Sequence, residues 1–294
     1  MTTLTAEAAS DLFRAAPDRW IDVGAGEAAL RSVGSGPDVL FVHGWPVSGA
    51  TFRHLLPHLV DHVTCHVIDL PSAGSSRFND STHVSIDQHI ESVRRVVDDL
   101  GVDSIAAVGH DSGGLIARYA LGGDPRLRAF GLINTEPSNP GWRFTSFINT
   151  GKLPFFGPIF GWVAGQRRIR RNKFILGDAF ADKALLEGEF EEFFLDPLHE
   201  NATLRKASDR ALKSFSIKKH IGGIEALHAK INVPVQLVWG DQDPFFPVDR
   251  AHEMVSTFSN ARIEVLPGVG LFSHEEAPAE VAAALLPALT GTWT

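Results

Sequence analysis

The 294-residue chain has one cysteine, Cys65, one tyrosine, Tyr119, and a shortage of cations: 27 Lys and Arg against 35 Asp and Glu, a formal charge of -8. A lone cysteine excludes an intramolecular disulfide, and no His or Cys stands near it at metal-ligand spacing. Neither a metal nor another cofactor is expected. The acidic balance repels polyanions and argues against nucleic acid as a partner. No window approaches eighteen uninterrupted apolar residues, and the N-terminus has no basic stretch leading into an apolar one. No membrane partner is therefore expected, and a reducing, cytoplasmic setting fits. Repeats and low-complexity tracts are absent. The one basic run, Arg167–Lys173, reads as a solvated helix face rather than an anion-binding patch.

What is present is a 44% hydrophobic chain, long enough to bury a large core. Short apolar runs alternate with helical periodicity, which predicts parallel strands joined by crossover helices. Strands are expected at 20–24 and 27–33, around Gly24-Ala25-Gly26, then at Val39–Val42, Val63–Leu70, Ile105–Val108 and Ala129–Ile133. Residues 86–100 carry Ile86, Ile90, Val93, Val96, Val97 and Leu100 at helical spacing. From about Pro137 to Ala226 the strand signal stops, and eleven of the 20 Phe lie in that stretch. We expect a helical insertion at 137–226 in a core formed by 1–136 and 227–294. Strands resume at Val233–Trp239 and Arg262–Leu266, with helices at Val248–Phe258 and from Glu275 to Leu286, ending before Pro287.

The strongest chemical signal is Gly109-His110-Asp111-Ser112-Gly113, set between a predicted strand and a predicted helix, Leu115–Leu121. A side chain at the tip of a sharp strand-to-helix turn needs small residues two positions before and after it. That rule centres the turn on Asp111, because centring on Ser112 would place His110 where the backbone is crowded. The following helix N-terminus favours an anion, so Asp111 is expected to stay ionised. An ordinary helix N-cap is the plain alternative for this residue.

These residues resemble the α/β-hydrolase superfamily, in particular its aspartate-nucleophile branch of haloalkane dehalogenases, epoxide hydrolases and fluoroacetate dehalogenases. The resemblance implies an α/β-hydrolase fold, a mostly parallel eight-stranded sheet flanked by helices, with residues 137–226 as a cap over a small-molecule substrate. It implies Asp111 as nucleophile. His43-Gly44-Trp45-Pro46 matches the loop whose backbone N–H, here that of Trp45, joins the N–H of Ser112 in the oxyanion hole. Trp239-Gly240-Asp241-Gln242-Asp243-Pro244 matches the acid motif, with Asp243 as the acid and Asp241 and Glu136 as rivals.

The catalytic His is where the chain departs. Counting back from Glu275 and Pro278 places Leu271 at its position. His274, three residues later, is expected to be a surface or capping side chain, or else a relocated base. Alkylation of Asp111 needs no base, whereas hydrolysis of the ester does. The expectation is a dehalogenase-like hydrolase acting on a haloalkane-type substrate, arrested at the ester. The alternatives are an epoxide hydrolase and a non-catalytic ligand-binding protein. Each subclass fits with a gap: dehalogenases commonly place Trp after the nucleophile and Asn after His-Gly, and fluoroacetate dehalogenases place Arg after the nucleophile. Here those positions hold Ser112 and Trp45. Epoxide hydrolases use cap tyrosines, and Tyr119 lies outside the cap. Indole N–H groups of Trp45, Trp142 and Trp162 are the candidates for holding a halide or lining the substrate site.

Overall fold

The computed structural model describes residues 4–173 and 175–293. Eight strands form one sheet in the order β1-β2-β4-β3-β5-β6-β7-β8: β1 Arg19–Asp22, β2 Glu27–Gly34, β3 Asp38–Val42, β4 Thr64–Asp69, β5 Ile105–His110, β6 Leu127–Ile133, β7 Val235–Gly240 and β8 Ala261–Leu266. β1 and β2 form an antiparallel pair, and β2 meets β4 antiparallel; every other pairing is parallel. β5 and β7 are buried along their whole length, as strands covered on both faces must be. Their apolar runs are continuous rather than alternating for that reason.

The helices are α1 Ala6–Arg14, α2 Ile86–Leu100, α3 Ser112–Leu121, α4 Trp142–Gly151, α5 Phe156–Ala164, α6 Arg167–Arg170, α7 Asp196–Glu200, α8 Ala202–Ser214, α9 Ile224–His228, α10 Val248–Val255, α11 Ser273–Glu276 and α12 Pro278–Thr290. The predicted α2 starts at a Ser85 cap, whose hydroxyl accepts the Gln88 N–H, and ends at Gly101 in the left-handed region. Helices α4 to α9 all fall between β6 and β7. The expected boundary at 226 cuts through α9, which packs on α3 of the core.

Three expectations are corrected. α1 was not foreseen; its apolar face buries Ala9 and Phe13. α12 runs through Pro287 to Thr290, because Leu285, Ala288 and Leu289 are buried and the helix packs on β6 and β7, outweighing the lost hydrogen bond. The Arg167–Lys173 run is not a uniformly solvated face. Arg170 is fully buried with its guanidinium 2.8 Å from Glu191, Arg167 bonds the same carboxylate, and Arg171 pairs with Glu187.

An ionic ladder fastens the insertion to the core. Arg14 donates to Glu189 at 3.0 Å and to Glu192 at 2.8 Å; Arg53 donates to Glu189 at 2.9 Å and to Glu275 at 2.8 Å.

Candidate active site

β5 delivers His110 to the end of the sheet and the chain reverses at once into α3. The turning residue is Asp111, with φ 52° and ψ -137°, a conformation that side-chain-bearing residues rarely adopt. Its surroundings dictate the glycines. A Cβ on Gly113 would lie 2.1 Å from the Val42 carbonyl oxygen, and one on Gly109 would lie 2.5 Å from the Gly114 Cα. A Cβ on Gly44 would lie 2.4 Å from the Asp111 Cβ, so the opposing loop is shaped around this side chain too.

Asp111 Oδ1 accepts the Trp45 backbone N–H at 3.3 Å and the backbone N–H of Ser112. Asp111 is by position the N-cap of α3, but it takes the first helical N–H and shares that oxygen with a donor from another loop. Capping alone does not call for the second donor. Burial pushes its carboxyl up to about 6, while the N–H groups of Ser112 and Trp45 hold it from rising further. Asp111 is thus ionised above about pH 6, a narrower range than the helix N-terminus alone suggested.

The pocket above Asp111 is walled by side chains from both parts of the molecule: Phe144, Phe147 and Phe215 from the insertion, Ile116, Phe246 and Leu271 from the core. Asp243, after β7, is buried. Its Oδ1 accepts the N–H groups of Phe245 at 2.8 Å and Phe246 at 3.0 Å, and its Oδ2 accepts Asn134 Nδ2 at 2.8 Å. Burial pushes Asp243 up to about 7 against these donors. Asn134 serves as a bracket, its Oδ1 accepting the Ser273 hydroxyl at 2.7 Å and the Gly240 N–H at 3.3 Å. Sequence reasoning missed it, since an Asn past a strand end carries no motif. The rival Asp241 is exposed and accepts the Gly268 N–H at 2.7 Å, a loop-shaping role.

Leu271 lines the pocket with Asp111. Its backbone is held on both sides, the N–H donating to Ala179 O at 2.9 Å and the carbonyl accepting His110 Nε2–H at 3.1 Å. His274 is neither a surface nor a capping side chain. It is fully buried, with Nε2 2.7 Å from Thr51 Oγ1 and its ring 4.3 Å from that of His110, because α11 packs against the Gly49–Phe52 turn. Burial, then the neighbouring His110 and Arg53, pushes its pKa well below the usual imidazole range. It does not line the pocket.

The tryptophans are corrected as well. Trp45 forms part of the wall, but its indole N–H donates to Ser208 O at 3.1 Å. Trp142 and Trp162 are exposed and do not line the pocket, because phenylalanines occupy the inner faces of α4 and α5.

Glu136, a rival acid by sequence, does line the pocket. The Thr135 hydroxyl lies 2.8 Å from the Asp111 carbonyl oxygen and 3.0 Å from Glu136 Oε2, and it also accepts from Arg118 at 3.0 Å. One hydroxyl proton cannot serve both oxygens; a protonated Glu136 satisfies every contact. Burial first, then the charge of Asp111, pushes Glu136 up to about 8, opposed by Arg118.

A sharp strand-to-helix turn bearing an acid over a mostly parallel eight-stranded sheet defines a class, and the comparison agrees: the chain belongs to the alpha/beta hydrolase fold family, which matches residues 37–278. Haloalkane dehalogenase 2 of Mycobacterium tuberculosis (strain ATCC 25618 / H37Rv) is 26% identical over 280 residues, covering 91% of this chain and 93% of that protein. Among solved structures, an alpha/beta hydrolase fold protein from Burkholderia ambifaria superposes with a TM-score of 0.76 at 21% identity, covering 92% of this chain and 97% of that one. Epoxide hydrolase CorEH without ligand gives 0.77 at 17% identity, covering 93% and 98%.

Proposed function

We propose that this hydrolase-fold protein uses Asp111 to form an alkyl–enzyme ester with a small apolar electrophile of the haloalkane type, and that the ester accumulates. The observation that carries the reading is Asp111 Oδ1 seated between the Trp45 and Ser112 N–H groups at the pocket floor. Oδ2 then makes the new bond to carbon as the carbon–halogen bond breaks, the halogen leaving with the electron pair as halide. Oδ1 becomes the ester carbonyl oxygen without moving, already facing the donors that would stabilise negative charge during water attack. That attack needs a base to take the water's proton, a contribution of roughly 10²- to 10⁴-fold. Leu271 has none to offer. The other pocket imidazoles do not replace it: His43 donates Nδ1–H to Gly44 O and accepts the Leu70 N–H on Nε2, and burial pushes His89 down to about 3. The full-length similarity to a haloalkane dehalogenase supports the choice of electrophile.

One observation favours an epoxide instead. Ring opening requires a proton for the departing oxygen, and Glu136 is a proton-bearing carboxyl in the pocket wall, whereas no indole N–H of Trp45, Trp142 or Trp162 is turned into the pocket. Intact-mass measurement after exposure to a primary bromoalkane, and separately to a terminal epoxide, decides. The haloalkane reading expects a gain of the alkyl group alone with one bromide released, mapped to the Asp111 peptide and absent in Asp111→Asn. A gain of the whole epoxide would select the second reading. No adduct from either would leave a binding protein.

A further inference from the structure

Helix α5 is apolar on both sides. Phe156 and Phe160 face inward, their rings 6.5 and 4.9 Å from that of Trp45 in the pocket wall. Phe155, Ile159 and Trp162, at the same helical spacing, face outward and are 73%, 59% and 53% exposed. Leu153 at 58% and Trp142 at 78% are the other large exposed hydrophobics among the described residues, and all five lie on the segment of α4, α5 and the turn between them. A helix that is apolar all round belongs in a core or against lipid, and clustered apolar exposure on one segment marks an interaction surface.

The segment that carries the patch is basic, although α7 and α8, which pack on α5, bear Asp196, Glu200 and Asp209. Residues 137–177 contain seven of the 27 Lys and Arg and none of the 35 Asp and Glu. Some of these cations are paired with the acids that follow, Arg143 with Asp178, Arg167 with Glu191 and Arg171 with Glu187. Lys152 and Arg168, at the two ends of α5, are exposed and form no ion pair among the described residues. Tryptophan and phenylalanine flanked by lysine and arginine are the composition of an interfacial helix on an anionic bilayer.

We infer that the outer face of α4 and α5 docks on anionic lipid surfaces, with Phe155, Ile159 and Trp162 entering the headgroup boundary and Lys152 and Arg168 facing lipid phosphates. No helix among the described residues is long and apolar enough to cross a membrane, so the contact lies on the surface. The rest of the chain is strongly acidic and is repelled by the same bilayer, which fixes the orientation. A symmetric second copy fits less well, because it would bring Lys152 and Arg168 of both copies together. The inference departs from the expectation of no membrane partner, which rested on spanning and leader-like stretches.

Co-sedimentation of the full chain with vesicles tests it. Vesicles of phosphatidylcholine with about one third phosphatidylglycerol should retain the protein, and pure phosphatidylcholine should retain at least about tenfold less, the difference shrinking in high salt. Phe155→Glu with Trp162→Glu should abolish retention while leaving the thermal midpoint and the Asp111 adduct unchanged. Lys152→Glu with Arg168→Glu should weaken retention only on anionic vesicles. Failure to bind anionic vesicles at low salt overturns the inference. So does retention indifferent to Phe155→Glu with Trp162→Glu, or a dimer in sedimentation velocity that this double variant dissociates without any vesicle binding.

Discussion

Two turns border the pocket, joined by the His110–Leu271 hydrogen bond, and they differ in what they present. The turn at Asp111 is over-determined: a strained φ, three glycines whose replacement would collide with backbone or side chain, and two N–H groups on one oxygen. The turn at Leu271 keeps its frame, with both backbone polar groups bonded and Asp243 bracketed by Asn134, yet it presents a butyl group. Of its two glycines, Gly270 is also hemmed in, a Cβ there lying 2.5 Å from the Ala179 carbonyl oxygen, whereas Gly268, at φ +73°, has open space where a Cβ would go. On the proposed reading, attack rests on the backbone that seats Asp111, whereas ester hydrolysis would rest on the one side chain at position 271.

The largest expected break in this comparison is steric. Gly113→Ala drives a Cβ into the Val42 carbonyl and should cost about 4 kcal/mol or more, seen as loss of soluble protein or collapse of the thermal midpoint. Gly268→Ala meets only the left-handed backbone penalty, about 1 kcal/mol.

Leu271→His sharpens the comparison by restoring what the second turn lacks. Product per enzyme from a haloalkane should rise about 10²-fold or more. No gain in a variant that still forms the adduct would mean that the frame around Asp243 no longer orients an imidazole.

Asp111→Asn should abolish the adduct and also stabilise the fold at neutral pH. Burial raises the carboxyl of the folded chain from its ordinary 3.8 to about 6, so the folded chain binds the proton more tightly than the unfolded chain does. Stability is therefore lost as pH rises from about 4 to about 6 and stays low above that. The amide removes this loss, roughly 1–3 kcal/mol, measurable by denaturant unfolding at pH 7. Adduct formation by the unaltered chain should rise with pH through about 6.

The smallest change on chemistry is expected from His274→Ala. It should leave alkylation rate unaltered while lowering stability by about 2 kcal/mol, through a lost Thr51 contact and a small cavity. Multiple turnovers in the unaltered chain that vanish in this variant would place a working base at His274.

The sheet, the stretch without strands between β6 and β7 and the sharp turn at Asp111 were legible because each leaves a local pattern: continuous apolar strands, an aromatic-rich gap in the strand rhythm, and glycines spaced about the turning residue. Spacing to Glu275 and Pro278 singled out Leu271, and its side chain lines the pocket. His274, Trp142 and Trp162 were misplaced because a single polar or aromatic residue does not encode which way its helix is turned. Asn134 and Thr135 were invisible for a related reason, since their partners lie at Asp243, Ser273 and Glu136 and only the finished fold brings most of them near.

The ladder of Arg14, Glu189, Arg53 and Glu275 also has a meaning in time. Its bonds join residues 175 and 222 positions apart in sequence, so they cannot form until the sheet, the insertion and α11 are all in place. Contacts of such separation are late events in folding, because the loops they close carry the entropy cost before any bond repays it. The same bonds should be early to open, so that in native-state hydrogen exchange the amides around Glu189 exchange while β5 and β7 remain protected.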